Sequence, residues 1–170
     1  MSLLKIRTTW GEIEVTAEAG RITSCKLPFV ARRPAKPFRA TGSRIDADNE
    51  ADHETLAQAD RFVRDLFDGS TVRLPKVKAP EAAPFLAKAW KAIMTIPPGR
   101  AITYGELARK AGSPKAVRAA GQACAKNRIP LFIPCHRILG AGGRLGGFSC
   151  GLPWKELLLE REGTIVSTKS

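Results

Sequence analysis

The sequence predicts an α+β protein, a small β-rich N-terminal domain followed by a helical C-terminal domain. Two observations carry that expectation. The first third is built of short, partly alternating apolar runs separated by glycine turns, and from residue 84 onward apolar residues recur at helical spacing between clear start and stop signals. Composition agrees with a packed chain rather than a disordered one: 170 residues, 44% hydrophobic and 26% charged.

The elements follow in order. Leu3–Thr8 and Glu12–Ala17 flank Trp10-Gly11 as two strands, and Arg21–Leu27 reads as a third after Ala19-Gly20. Pro28–Ser43, with Pro28, Pro34, Pro37 and a cluster of basic residues, is expected to be a connecting loop. Ala51–Phe67 places Leu56, Ala59, Phe62, Val63, Leu66 and Phe67 on one helical stripe that Asp68-Gly69 ends. The irregular stretch 69–80, with Pro75 and Pro80, gives an expected division into domains 1–79 and 80–170. Pro84–Ile96 is an amphipathic helix stopped by Pro97-Pro98-Gly99. Thr103-Tyr104-Gly105-Glu106 has capping-box spacing and opens a helix to about Ala111. Gly112 ends it, and Ser113-Pro114 is expected to cap a second helix running to about Ala125. Two helices joined by so short a turn form a helix-turn-helix pattern. The second one carries Ala116, Ala119, Ala120 and Ala123 at helical intervals, with Lys115, Arg118 and Lys126 around them. Small residues allow close approach to another surface, either a neighbouring helix or a DNA groove.

Charge and cysteine usage restrict the function. The chain carries 28 Lys+Arg against 16 Asp+Glu, a formal net charge of +12. Residues 1–84 hold 14 basic and 12 acidic residues, whereas 85–170 hold 14 and 4, so nearly all the excess lies in the second half. A folded, strongly basic half suits a polyanion, most simply nucleic acid. No run approaches the ~18 consecutive apolar residues of a membrane span, so no membrane partner is expected. Lys5 and Arg7 fall where a signal peptide needs its apolar core, so the expected setting is intracellular. The four cysteines are then expected to be free thiols.

The most chemically loaded segment is Ile133-Pro134-Cys135-His136-Arg137. A cysteine reacts as its thiolate, so a neighbour must take its proton or stabilise the anion. Adjacent side chains of an extended chain point apart, so His136 is expected to act through a turn or one water. A histidine base needs a carboxylate to orient it, and this half offers only Glu106, Glu156, Glu160 and Glu162.

Pro134-Cys135-His136-Arg137, together with Asn127, Ile129-Pro130, Gly147, Ser149, Gly151-Leu152 and Leu158-Leu159-Glu160-Arg161-Glu162-Gly163, resembles the O6-alkylguanine-DNA alkyltransferases, the methylated-DNA–protein-cysteine methyltransferases. Trp90, Ile96-Pro97, Gly99, Thr103-Tyr104-Gly105-Glu106-Leu107-Ala108, Arg118-Ala119 and Gly121 belong to the same resemblance, which spans roughly residues 84–163. Residues 1–80 resemble the family only in outline. The resemblance implies a ribonuclease-H-like N-terminal domain with a variable loop and a C-terminal DNA-binding and alkyl-transfer domain.

It also implies direct-reversal repair. Cys135 would attack the alkyl carbon on O6 of guanine, with O4 of thymine as a second candidate target, and keep the alkyl group irreversibly. His136 would deprotonate Cys135 through a water, Glu162 would orient His136, and Asn127 would hold the active-site turn. Tyr104 would donate to the departing guanine and the Ser149 N–H to O6; the carbonyls near Cys135 and Ile138 would take the guanine amino group, and Phe148 would form a pocket wall. Thr103, Ala116, Arg118, Ala119 and Gly121 would meet double-stranded DNA through the minor groove, with Arg118 replacing the flipped nucleotide. The resemblance implies a monomer without a cofactor, cytoplasmic and nucleoid-associated in a prokaryote or nuclear in a eukaryote. Some family members hold zinc in the N-terminal domain. Here that region offers only Cys25 and His53, too few to close a tetrahedral site, so no metal is expected.

The chain departs from the family pattern at Phe148, where tyrosine is usual, at Cys150, where glycine is usual, and at Pro153-Trp154. Cys150 is expected to crowd the pocket loop and to shift its backbone. Two alternatives stand beside repair: a protein that binds alkylated DNA without transfer, which the presence of Cys135 disfavours, and a Cys-His hydrolase, which leaves the basic, small-residue helix unexplained.

Overall fold

A glycine turn at each end of the second strand fixes the register of the N-terminal sheet. In the computed structural model, which describes residues 1–70, 74–79 and 81–164, β1 (Ser2–Thr8) pairs antiparallel with β2 (Gly11–Glu18), and β2 with β3 (Arg21–Lys26). A fourth strand, β4 (Ala40–Asp46), pairs antiparallel with the free side of β1, giving the order β3-β2-β1-β4. Period-2 alternation turns Leu4, Ile6, Ile13, Val15 and Ala17 inward, all fully buried.

α1 (Glu50–Asp68) lies on that buried face. Asn49 caps it by accepting from the Asp52 N–H at 2.9 Å, and Gly69, at φ 77°, closes it. The apolar stripe expected from the sequence, Leu56 through Phe67, is the buried stripe.

Beyond residue 84 the chain is helical: α2 (Pro84–Met94), α3 (Tyr104–Lys110), α4 (Val117–Ala125) and α5 (Leu152–Arg161). Two short strands, β5 (Ile102–Thr103) and β6 (Ile138–Leu139), pair in parallel and hold the start of α3 beside the Cys135 turn. The Thr103–Glu106 capping box forms in both directions.

One hydrophobic core runs from the sheet into the helices. Phe62 of α1 stacks on Phe132 with centroids 5.1 Å apart. Trp154 of α5 packs edge-on to Trp10 at 5.0 Å and Phe38 at 5.5 Å, and its indole N–H donates to the Pro28 carbonyl at 2.8 Å. The unusual Trp154 is thus an anchor for α5 against the N-terminal elements.

Four expectations need correction. Residues 40–43 belong to β4 rather than to a loop: the strand sits at the sheet edge, mostly exposed, so it shows little apolar alternation. α2 stops at Met94, not Ile96, because a residue before proline disfavours the helical region and Pro97 follows. α4 starts at Val117 without a side-chain cap; Ser113-Pro114-Lys115-Ala116 is a turn closed by the Ala116 N–H to the Ser113 carbonyl, a role that Ser followed by Pro fills equally well. The irregular stretch 69–80 contributes a parallel bridge, Val77 to Ile22. The expected division beside Pro80 falls on a residue outside those described, as does all but Thr164 of the polar tail that the sequence suggests over 164–170.

Candidate active site

Cys135 sits in a single 3₁₀ turn, Cys135–Arg137, that follows the buried run Ile129–Pro134. Asn127, just after α4, shapes the approach to it. Its Oδ1 accepts from the Ile129 N–H at 2.9 Å, and its Nδ2 donates to the Ile133 carbonyl at 2.8 Å and to Cys135 Sγ at 3.1 Å. These bonds bend the segment enough that Leu131 adopts φ 73°, a left-handed conformation that leucine takes only under constraint. One side chain therefore both builds the turn and touches the sulfur.

The turn throws His136 and Arg137 onto Glu162, at the C-terminal end of α5. His136 Nε2 lies 3.0 Å from Glu162 Oε1, and Arg137 grips both carboxylate oxygens, with Nη2 2.6 Å from Oε1 and Nε 3.0 Å from Oε2. Arg137 Nη1 also donates to the Ile96 carbonyl. Burial pushes the Glu162 carboxyl up, but hydrogen bonds from His136 and Arg137 outweigh it and hold the pKa at about 2. The carboxylate can then only accept, so Nε2 carries the ring proton toward it. Burial lowers the His136 pKa, keeping the ring neutral. Nδ1 is left as a basic nitrogen with no hydrogen-bond partner among the described residues. Of the four candidate carboxylates only Glu162 reaches His136. Glu106 serves the capping box, Glu160 pairs with Arg33 at 2.8 Å, and Glu156 is exposed.

Cys135 also lines a cavity of about 420 Å³, together with Tyr104, Gly121, Cys124, Ala125, Gly147, Phe148 and Ser149. Tyr104 comes from the first turn of α3, Gly121 from α4, and Phe148 and Ser149 from the loop before α5. Gly146, at φ 66°, lets that loop pass the Tyr104 hydroxyl, which a Cβ would approach to 3.1 Å. Burial raises the Tyr104 pKa to about 12, so its hydroxyl stays protonated and can donate. A separate cavity of about 360 Å³ lies beyond Glu162 and contains no thiol.

Cys150 is not among the cavity-lining residues, contrary to the expectation of crowding; Cys124 is. Cys150 itself takes no positive φ; that conformation belongs to Gly151. There the α5 loop meets the Pro28–Val30 segment so closely that a Cβ on Gly151 would stand 1.9 Å from the Val30 carbonyl oxygen. Ile138 is buried beneath the site, and its carbonyl accepts from Lys155 Nζ at 2.7 Å.

Of the residues expected to meet DNA, Gly121 lines the cavity, and Thr103, Ala116, Arg118 and Ala119 lie at the starts of α3 and α4. Arg118 is exposed on the first turn of α4, with Ala116 and Ala119 half-buried beside it. A Cβ on Gly121 would meet nothing within 4 Å, so this helix face is open. Thr103 is turned to its capping role through Glu106. Among the described residues no three His, Cys, Asp or Glu group as metal ligands, and no helix is long and apolar enough to cross a membrane.

Sequence reading passed over two functional groups. Arg137 was legible only as a charge beside the cysteine, since its Glu162 partner lies 25 residues away. Lys155 left one signal, a lysine that shares with Glu156 the polar positions of the mainly apolar stretch Leu152–Leu159.

The chain is similar to known proteins in both sequence and fold. The family model described as 6-O-methylguanine DNA methyltransferase, DNA binding domain, matches residues 84–164. A methylated-DNA–protein-cysteine methyltransferase of Methanosarcina acetivorans is 41% identical over 111 residues, 65% of this chain and 71% of that protein. A constitutive enzyme of the same name from Bacillus subtilis is 32% identical over 142 residues, 84% of this chain and 82% of its own. The fold is similar to that of Mycobacterium tuberculosis OGT solved in complex with DNA, with a TM-score of 0.74 and 27% identity, covering 94% of this chain and 91% of that one.

Proposed function

The chain belongs to the methylated-DNA–protein-cysteine methyltransferase family, and from that premise we propose that it repairs DNA by direct reversal, moving an alkyl group from O6 of guanine onto its own Cys135. The observation that carries the assignment is the continuous set Asn127–Cys135 and His136–Glu162–Arg137, with the sulfur opening into a cavity walled by Tyr104 and Phe148.

Each residue has a task in that reaction. The Cys135 proton passes through a water to His136 Nδ1, and Glu162 stabilises the imidazolium that forms. The thiolate attacks the alkyl carbon from the side opposite O6. The S–C bond forms as the C–O6 bond breaks, and the bonding electrons return to the guanine. Tyr104 donates its hydroxyl hydrogen bond to the departing base, and the Ser149 N–H donates to O6, where negative charge develops. The Cys135 and Ile138 carbonyls receive the amino group, the latter with Lys155 already on one lone pair. Because a thioether is not hydrolysed, each molecule acts once.

The target carbon is hidden within a stacked duplex, so the nucleotide must turn out into the cavity at a cost of about a few kcal/mol. The α4 face, small at Ala116, Ala119 and Gly121, enters the minor groove, and Arg118 occupies the space the base vacates. Minor-groove readout is largely degenerate, as a protein that must act at any sequence requires. The basic second half supplies salt-dependent phosphate attraction. The protein acts as a monomer.

Duplex DNA carrying a labelled methyl group on O6 of guanine tests this. Label moves to the wild-type protein and not to Cys135→Ser, which still binds the duplex. Label on the serine variant removes the assignment.

A further inference from the structure

The two walls of the Cys135 cavity differ in charge. Lys115, Arg118 and Lys126 flank the α4 side, whereas residues 138–154, which supply the wall of Gly147, Phe148 and Ser149, hold a single charged side chain, Arg144. Alkyl transfer itself gives it no task. The loop that carries it is held at both ends against the start of α3. Leu139 pairs with Thr103 where the loop leaves, and Gly146 lies against the Tyr104 hydroxyl where it returns. Between those two points Arg144 is exposed, with its carbonyl accepting from the Gly140 N–H at 2.7 Å. Its Nε donates to the Ala141 carbonyl at 3.1 Å, the one hydrogen bond its side chain makes among the described residues. One edge of the guanidinium is thus tied to its own loop, and both Nη groups are left without a partner among those residues.

No carboxylate is at hand to take them. Glu106 is the single acidic residue between Phe85 and Lys155, and it is bound by the Thr103 N–H at 2.7 Å and the Thr103 hydroxyl at 2.9 Å. Glu162 is taken by His136 and Arg137. A guanidinium with a fixed edge and two free donors matches the two oxygens of a phosphate, which it can grip bidentately. When a nucleotide turns out of the duplex into this cavity, its sugar-phosphate chain has to cross the rim, with one phosphate on either side of the sugar. The α4 wall meets one side of that crossing, and Arg118 is engaged within the duplex. The 140–149 loop meets the other.

We propose that Arg144 is the phosphate clamp of this second wall: its guanidinium pairs with a backbone phosphate next to the extruded nucleotide and holds the alkylated base over Cys135. Such a contact carries no sequence information, because every nucleotide has the same phosphate. It acts on the extruded strand rather than on the base, so it aids duplex DNA and not a free guanine.

The inference rests on the proposed transfer to Cys135 and adds how the strand is held during it. O6-methylguanine duplexes are made with a neutral methylphosphonate at the linkage 5′ or 3′ to the lesion, and binding is measured in the Cys135→Ser background, where no transfer follows. One of the two substitutions weakens binding of the protein with Arg144 by about 10-fold or more, the range of a hydrogen bond to a charged group. Arg144→Gln binds the unmodified duplex weaker by a similar factor, and the same methylphosphonate costs it nothing further. The slope of log affinity against log salt concentration also falls by about 0.9 in this variant, one phosphate contact fewer, and Arg144→Lys, which keeps the charge, restores the slope. With Cys135 present, Arg144→Gln slows transfer from duplex DNA far more than reaction with free O6-benzylguanine. Methylphosphonates with the same effect on Arg144→Gln as on the protein with Arg144 overturn the inference and make Arg144 a solvated surface charge. Equal slowing of duplex and free base overturns it as well, since Arg144 would then only shape the loop. Failure of the transfer reading appears separately, as wild-type protein that takes no methyl group from the unmodified duplex.

Discussion

Replacing Asn127 with alanine removes both the brace of the active-site segment and a hydrogen bond to the reactive sulfur. The Ile129 N–H, fully buried, loses the Oδ1 acceptor at 2.9 Å and has no other partner among the described residues. An orphaned buried donor costs about 1–3 kcal/mol. The Ile133 carbonyl also loses a bond but keeps the Cys135 N–H at 2.7 Å, so that loss is about 1 kcal/mol. The sum, about 2–4 kcal/mol, is a large part of the about 5–15 kcal/mol that holds a domain folded, yet the variant stays folded. The sulfur separately loses a donor at 3.1 Å. A hydrogen bond to a charged partner is worth about 1.5–3 kcal/mol, so transfer slows about 10- to 100-fold beyond any unfolding. Urea titration gives the first quantity, and single-turnover transfer from methylated duplex, under conditions where circular dichroism shows native protein, gives the second. Stability within about 0.5 kcal/mol of wild type, the range of an ordinary surface change, together with an undiminished rate, would refute the brace.

Three further outcomes follow from the same geometry. Glu162 has a folded pKa of about 2 against an ordinary 4.5, so its stabilising contribution is fully present above about pH 4.5 and is lost as pH falls toward 2; Glu162→Gln should flatten acid unfolding in that window, cost about 3–5 kcal/mol at neutral pH by stranding Arg137, and slow transfer, and an acid-unfolding curve parallel to wild type would contradict this. Arg118→Ala should slow repair of duplex DNA far more than reaction with free O6-benzylguanine, which needs no flipping; equal slowing of both would remove Arg118 from that role. Because Cys124 lines the cavity and Cys150 does not, Cys124→Leu should slow benzyl transfer by about 10-fold or more through overpacking of about 1–3 kcal/mol, while Cys150→Gly leaves it near wild type; kinetics on both variants decide between the two cysteines.

Much of the site could be read before the fold was known because its parts are local. The Thr103–Glu106 capping box needs only i to i+3 spacing, and Cys135, His136 and Arg137 are consecutive. The stripe on α1 was equally plain, since one buried face imposes a 3.6-residue period. What escaped was whatever depends on distant partners or on burial from all sides. α5 buries Pro153, Trp154, Lys155, Leu157, Leu158 and Leu159, so it has no single apolar stripe to reveal a helix. β4, an exposed edge strand, had almost no apolar pattern to show. The burial of Lys155 has no local signature, because it depends on carbonyl partners, one of them 17 residues earlier. Cys150 drew suspicion over Cys124 because a departure from glycine is visible in sequence, whereas which thiol faces the cavity is decided by helix orientation.

The central claim is that Cys135 is the stoichiometric acceptor of the alkyl group, and intact mass spectrometry with peptide mapping tests it most directly. After incubation with excess duplex containing O6-methylguanine, the account predicts one added methyl group per chain, located on the Cys135 peptide, an equal amount of restored guanine, and no further repair by the modified protein. Continued turnover, a methyl group on Cys25, Cys124 or Cys150 instead, or an unchanged mass would contradict it.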